Sequence, residues 1–127
     1  MSKEDLTPSE TEWLVMEELW KSQVPLTSSE IISRLKEVKE MSPKTVRVML
    51  NRLVQKRIID YTIDKRDSRV YHYFAVKAKE ECLREKSRRF ADSYFGGSGS
   101  GALAALVDSF ELNEEQMREL RDILDRK

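Results

Sequence analysis

Apolar residues recur at helical spacing in three early segments, and each segment follows a pattern that can cap a helix. A capping box at Thr7–Glu10 precedes the first, a second box at Thr27–Glu30 precedes the next, and Ser42-Pro43 precedes the third. We predict a helix that begins at Pro8 with Thr7 as N-cap and ends before residues 23–25, and further helices over 28–39 and 43–56.

The hydrophobic period then changes from that of a helix to that of a strand. Residues 58–63 and 70–74 are β-branched and aromatic runs, and the polar stretch 64–69 separates them. This pattern predicts a β-hairpin with a charged tip. The short segment 24–26 could add an edge strand.

The last third of the chain returns to helical spacing. We predict helices over 77–95 and 102–110 and a last one capped by residues 113–116, with the glycine- and serine-rich stretch 96–101 as a flexible break. Three such helices cannot enclose a core alone, so we expect them to bury apolar stripes against a second copy of the chain. The expected dimer contacts are Leu83, Phe90, Tyr94, Leu106, Met117, Leu120 and Leu124.

Together these elements predict a mostly α fold with a small β-hairpin wing. A winged helix-turn-helix domain is expected over 1–76, followed by a helical dimerisation region over 77–127. With 127 residues, the chain suffices for one compact domain or a small domain with an extension.

Charge changes the functional picture only when it is placed along the chain. Basic and acidic residues are equal at 23 each, which alone argues against a nucleic-acid binder. Residues 34–73, however, carry 11 basic and 5 acidic side chains, whereas residues 1–33 carry 2 and 7. A phosphate backbone interacts with the charge of the surface that it contacts and not with the net charge of the whole chain. The basic middle of the chain is therefore a candidate DNA-binding region.

Several classes of protein are disfavoured by the residues that the chain lacks. One cysteine and one histidine offer no cluster for a metal, and no nucleophile–base pair or phosphate loop is evident, so we expect no cofactor and no enzyme activity. No apolar run suggests export or membrane insertion, and we expect a cytoplasmic protein. Cys82 is expected to be a small buried residue rather than a thiol switch, and His72 a strand residue.

The third predicted helix has one apolar face and one mixed polar face. Placing residues at 100° intervals puts Val46, Met49, Leu50 and Leu53 opposite Lys44 and its neighbours. On the polar face, Arg47 could pair with guanine, Asn51 with adenine, and Val48 with a thymine methyl. No acidic residue occurs from Lys44 to Arg57.

We therefore expect this helix and the hairpin tip to bind DNA. The candidate residues are Ser42, Lys44, Thr45, Arg47, Val48, Asn51, Arg52 and Gln55 on the helix and Lys65, Arg66 and Arg69 at the tip. Lys56 and Arg57 are further candidates for contacts with the DNA backbone. For the tip residues, charge that only keeps the hairpin soluble is the alternative.

Several segments resemble the penicillinase-repressor family of winged-helix transcriptional repressors. These are residues 42–54, the wing ending at residues 70–73, the junction 94–98, and residues 112–124. The resemblance implies a dimeric repressor of an inverted-repeat operator with TACA-like half-sites, and in several members a membrane-bound sensor protease as inducer. A winged helix that binds proteins instead of specific DNA is the alternative function.

The chain departs from the family pattern at three places. With Cys82 alone, it lacks the paired cysteines of the copper-responsive branch. Where β-lactam repressors are cleaved at an Asn-Phe pair, alignment from Gly96 places Ala105-Leu106. Family members often have Lys-Gly after the recognition helix, where this chain has Lys56-Arg57.

Overall fold

The computed structural model describes residues 4–127, and their order of elements confirms the predicted fold class. The mostly helical chain contains one antiparallel hairpin, and compactness divides it into two units at Glu85 and Lys86. The elements are α1 (Glu10–Lys21), α2 (Ser28–Leu35), α3 (Pro43–Gln55), β1 (Ile59–Ile63), β2 (Tyr71–Ala75), α4 (Lys79–Phe95), α5 (Gly99–Ser109) and α6 (Glu114–Asp125).

The predicted start of α1 is wrong by two residues. Two capping boxes overlap in the sequence, and the structure uses Ser9 with Glu12 instead of Thr7 with Glu10. The backbone N–H of Ser9 donates to Glu12 Oε1 at 2.9 Å, and Thr7 bonds to Asp5 instead. The Glu12 carboxylate is buried and also accepts a hydrogen bond from Lys56, the C-cap residue of α3. This tertiary contact favours the Ser9 box over the Thr7 box, which is equivalent to it in the local sequence.

The predicted caps of α2 and α3 are confirmed. Thr27 and Glu30 form a capping box, in which the Glu30 N–H donates to Thr27 Oγ1 at 3.2 Å. Ser42 accepts the N–H of Thr45 at 3.1 Å, and Pro43 occupies the first turn. The α2 helix ends at Leu35, earlier than predicted, and a hydrogen-bonded turn follows it.

A single apolar core holds the first unit together. Its members come from α1, α2, α3, the hairpin and the start of α4, and the indole N–H of Trp20 donates to the Lys77 carbonyl at 2.9 Å. Since each fully buried large aliphatic side chain contributes about 1.5–3 kcal/mol, this core dominates the stability of the unit. The buried side chains are Val15, Met16, Leu19, Leu26, Ile31, Leu35, Val46, Met49, Leu50, Leu53, Ile58, Ile59, Tyr73 and Cys82.

The hairpin has the register expected for a wing beside α3. Ile59 pairs with Ala75, Tyr61 with Tyr73, and Ile63 with Tyr71. Leu26 exchanges both backbone hydrogen bonds with Tyr73, at 2.9 and 2.8 Å. The predicted edge strand at 24–26 is therefore present as this one bridge.

The predicted flexible break at 96–101 is wrong in its second half. Gly99–Gly101 form the first turn of α5, and Ser98 is the N-cap that accepts the Gly101 N–H at 2.9 Å. A Cβ at residue 101 would meet Ser98 Oγ at 3.0 Å, so glycine suits this cap. The chain turns instead at Gly96 and Gly97, whose φ values are 57° and 87°.

The second unit contains helices with little buried apolar surface. Only Ala91 and Ala102 are buried among its apolar side chains. Asn113 and Gln116 form the predicted capping box of α6, which has no buried residue. Within residues 4–127, no helix is long and apolar enough to cross a membrane, and no cluster of three acidic, histidine or cysteine side chains could hold a metal.

Candidate nucleic-acid interface

The α3 helix separates its residues between the core and the solvent as its pattern predicts. Val46, Leu50 and Leu53 are completely buried, and Met49 is 5% exposed. The residues of α3 and its N-cap that we expect to bind DNA are all exposed. Among them, the aliphatic side chain of Val48 is 40% exposed. They are Ser42, Lys44, Thr45, Arg47, Val48, Asn51, Arg52 and Gln55.

The N-terminus of α3 is already capped by its own side chains. Ser42 Oγ lies 2.8 Å from Thr45 Oγ1 and also accepts the Thr45 N–H. Pro43 at the first position has no N–H to offer. Phosphate contact at this end would therefore depend mainly on the exposed Lys44 and on the hydroxyl hydrogen of Ser42 or Thr45 that is not used in the bond between them.

A groove joins α3 to the wing and to the start of α2. Arg47 from α3 and Arg69 from the tip line the groove with hydroxyl side chains from the start of α2. Two guanidinium groups and several hydroxyl donors together suit phosphate oxygens. The remaining lining residues are Thr27, Ser28, Ser29, Val70, Tyr71 and Tyr73.

The predicted set of DNA-binding residues omitted this contribution from α2 and Tyr71. The capping box at Thr27 indicated where α2 begins, but no local signal places that end beside the wing. The bridge between Leu26 and Tyr73 brings the two together, and pairing across long sequence separation is not visible in the local pattern.

Three tyrosines form the wall of the wing on the α3 side. The rings of Tyr61 and Tyr71 stack with centroids 4.4 Å apart, and Tyr73 packs against both. Burial raises the pKa of the Tyr73 phenol, and the other two phenols add to this, whereas the Arg47 guanidinium acts in the opposite direction. The Tyr73 phenol is therefore neutral at physiological pH, and the Arg47 guanidinium lies close enough to affect its pKa.

The wing tip presents two unpaired cations and one paired cation. Lys65 and Arg66 are exposed, and neither forms an ion pair with another residue in the described part of the chain. Arg69 instead holds Asp67, with its Nε 3.0 Å from Oδ1 and its Nη2 3.2 Å from Oδ2. The hydrogen bonds that the Arg69 side chain and the Arg69 backbone N–H donate to the Asp67 carboxylate lower the pKa of Asp67.

Lys56 is not available for the DNA-backbone contact that the sequence suggested. Its ammonium group donates to Glu12 Oε1 at 2.7 Å and to the Thr7 carbonyl at 3.0 Å, with the side chain 19% exposed. Glu12 is 3% exposed in its side chain, so this ion pair is largely removed from water. Lys56 therefore ties the end of α3 to the start of α1.

Arg57 is exposed and has an unusual backbone conformation. Its φ is 62°, in the left-handed region that glycine favours. The N–H of Ile58 donates to Leu53 O and the N–H of Arg57 donates to Val54 O, both at 3.0 Å, which is the Schellman pattern of helix termination. The αL position expected of glycine at this place is thus occupied by an arginine.

Most residues expected at a dimer contact are exposed in the single chain. Tyr94 is 75% exposed, Leu124 53%, Leu83 46% and Leu106 44%. Phe90 and Met117 are each 37% exposed, and Leu120 is partly buried.

The candidate cleavage bond and the single cysteine both lie on helices. The Ala105–Leu106 bond lies within α5, so a protease would meet it in helical rather than extended backbone. Cys82 is completely buried on α4, and this burial raises the pKa of its thiol. A high thiol pKa and lack of access make the side chain a poor nucleophile.

Comparison with known proteins matches nearly the whole chain to one family. A family model described as penicillinase repressor matches residues 8–126. The methicillin resistance regulatory protein MecI of Staphylococcus aureus strain N315 is 28% identical over 119 residues, 94% of each chain. A penicillinase repressor of Staphylococcus aureus is 29% identical over 125 residues, which cover 98% of this chain and 95% of that protein.

Solved structures agree with the fold. The solution structure of the DNA-binding domain of the repressor BlaI is 25% identical, with a TM-score of 0.50, and the match covers 62% of this chain and 93% of that domain. The crystal structure of YusO from Bacillus subtilis, 24% identical, gives a TM-score of 0.54 over 93% of this chain and 72% of its own, and shows the fold alone.

Proposed function

Since the chain belongs to the penicillinase repressor family, we propose that it is a DNA-binding transcriptional repressor that acts as a homodimer on an inverted-repeat operator. The relatives named above are regulators or repressors by name, and one solved relative is a DNA-binding domain. The observation that supports the proposal most is the outer face of α3, which is exposed and free of acidic residues.

In the proposed complex, α3 of each subunit enters a major groove. Arg47 and Asn51 reach base edges, because guanidinium and amide groups form bidentate pairs with guanine and adenine. Lys65 and Arg66 contact the flanking phosphates. Both are exposed and form no ion pair with residues 4–127, so they can replace counterions.

The second unit supplies the dimer contact in this proposal. Its helices bury only two alanines on their own and expose large apolar side chains, which a second copy would cover. Two linked half-sites make the second binding event intramolecular, which raises affinity without a new kind of contact. The first unit holds the DNA, and the second sets the spacing of the two α3 helices.

Selection of binding sites from a library of random DNA duplexes tests the function directly. We expect the full chain to enrich an inverted repeat with half-sites about one helical turn apart. On the enriched site, Arg47→Ala should lose about 1–3 kcal/mol of binding free energy and relax the preference at one base position.

Lys65→Ala is the matched variant for a contact that does not read sequence. It should weaken the enriched site and random DNA alike and reduce the slope of affinity against salt by about one unit. Equal losses of Arg47→Ala on both DNAs would contradict its role in base reading. Failure to enrich any duplex would contradict the proposed function and favour a protein-binding winged helix.

A further inference from the structure

The wing tip is organised around one carboxylate. Asp64 Oδ2 accepts the backbone N–H groups of Arg66 and Asp67, each at 2.9 Å. The Asp64 N–H donates to the Val70 carbonyl at 2.8 Å, which closes the hairpin at this level. Asp64 thereby sets the backbone conformation of the segment that carries the two unpaired cations, Lys65 and Arg66.

The other oxygen of the same carboxylate is held by the chain's single histidine. His72 Nε2 lies 2.9 Å from Asp64 Oδ1, and both side chains are 31% exposed. The hydrogen bond from His72 is the largest cause that lowers the pKa of Asp64, followed by the two backbone N–H groups. Asp64 is therefore ionised throughout the neutral range.

Negative groups flank the imidazole from two elements. Asp64 faces it from the end of β1. The hydrogen bonds with Thr27 lower the pKa of Glu30 in α2 most, and the charge of His72 lowers this pKa further. Histidine is the side chain that physiological changes of pH can protonate. The Asp64 carboxylate already carries a charge in this hydrogen bond, and a proton on the ring adds the opposite charge on the donor, which strengthens the contact into a hydrogen-bonded ion pair.

We propose that His72 is a positioning residue for DNA binding: through Asp64 it holds the wing-tip turn, and it holds the turn more firmly when protonated. Lys65 and Arg66 are then presented to DNA phosphates in one arrangement, and less ordering is needed when the complex forms. Binding should therefore be tighter on the acid side of the imidazole titration. The DNA-binding consequence rests on the proposed function, whereas the link between His72 and the turn does not.

The composition of the chain makes this effect assignable. With one histidine in the sequence, no second imidazole can contribute to a pH dependence of binding. Burial raises the pKa of the Cys82 thiol and so moves its titration away from this range. A pH dependence between 6 and 7.5 that disappears on replacement of His72 thus belongs to His72.

The first measurement follows the turn itself by NMR on the full chain without DNA. We expect the amide signals of Arg66 and Asp67 to shift with pH along the titration curve of the His72 ring. In His72→Gln, whose amide can still donate to Asp64 but does not titrate, these shifts should vanish between pH 6 and 8. Amide shifts that persist in His72→Gln, or that do not follow the ring in the wild type, would overturn the proposal.

The second measurement is the affinity for a mixed-sequence 30-base-pair duplex at low, constant ionic strength. We expect the wild type to bind about threefold to fivefold more tightly at pH 6 than at pH 8, since exposed ion pairs give effects of this size. His72→Gln and Asp64→Asn should both show less than about a 1.5-fold change over the same range.

Asp64→Asn separates positioning from a direct contact. It retains the titrating ring but removes the carboxylate, so a pH dependence that survives in Asp64→Asn means that His72 contacts phosphate directly and overturns the proposal. An unchanged wild-type affinity from pH 6 to 8 overturns it as well. If no duplex binds at any pH, the proposed function fails, and the amide titration still decides whether His72 holds the turn.

Discussion

The two units of this chain use similar apolar residues in opposite ways. In the first unit, large aliphatic side chains from three helices and a hairpin meet in a common core, and many are completely buried. In the second, several leucine, valine and isoleucine side chains of α5 and α6 and the C-cap residue Phe110 are 39–64% exposed. The first unit therefore buries its apolar side chains within itself, whereas the second exposes an apolar surface that a second copy of the chain would cover in the proposed dimer.

This difference shows that apolar periodicity identifies the face of a helix that will be buried. It does not show whether the same chain or a second chain covers that face. Leu53 on α3 and Leu106 on α5 belong to similar stripes in the sequence, yet one is completely buried and the other is 44% exposed. The hairpin and α1 close over α3, while no strand occurs after residue 75. Stability in the second unit should therefore depend on protein concentration, and stability in the first should not.

The largest expected effect is a core truncation in the first unit. Leu53→Ala should lower the free energy of unfolding by about 3 kcal/mol, because it removes a completely buried side chain and leaves a cavity. Urea unfolding measured over a hundredfold range of protein concentration should show the same loss throughout.

Leu106→Ala is the matched substitution in the second unit. It should cost less than about 0.5 kcal/mol in the dissociated chain and more only at concentrations where the chains associate. Equal, concentration-independent losses for the two variants would remove the distinction between the units.

A smaller effect is expected when the exposed face of α6 is made acidic. The double variant Met117→Glu/Leu124→Glu should keep its helical content, because both side chains are exposed, but should sediment as a monomer. Its affinity for an inverted repeat should fall by about a hundredfold, since the two half-site contacts are no longer linked.

A single half-site serves as the control for that variant. The loss on a half-site duplex should be within about twofold, because the α3 face is unchanged and surface substitutions have little effect at a distance. Sedimentation of the variant as a dimer would show that α6 does not supply the subunit contact.

A still smaller gain in stability is expected from a substitution at the end of α3. Arg57→Gly should stabilise the first unit by about 0.5–1 kcal/mol, because an L-residue in the left-handed region is disfavoured and glycine is not. Thermal unfolding should detect this rise, and Arg57→Ala, which retains a Cβ, should show none. A gain for Arg57→Ala equal to that of Arg57→Gly would mean that charge, not backbone conformation, is responsible.

Local signals in the sequence predicted much of the first unit. Ser42, Pro43 and the spacing of Val46, Leu50 and Leu53 were enough to place α3 and its two faces, because caps and periodicity act within a few residues. The hairpin strands were predicted within one residue at each end, from their β-branched and aromatic content.

The errors arise where distant residues decide between local alternatives. Ser9 replaces Thr7 as the cap of α1 because Glu12 then meets Lys56, which lies 44 residues away, and the same contact removes Lys56 from the DNA-binding candidates. Gly99–Gly101 enter α5 although glycine disfavours helix, because Ser98 caps that turn.

The sequence by itself determined the order of elements, the core and solvent faces of α3, and the concentration of positive charge in α3 and the wing. These properties depend on residue type and on spacing within one element. Only the tertiary structure decided that the start of α2, Arg47 and Arg69 line one groove and that His72 reaches Asp64 across the wing. Such contacts require strand register and pairing between distant segments, which a local pattern does not encode.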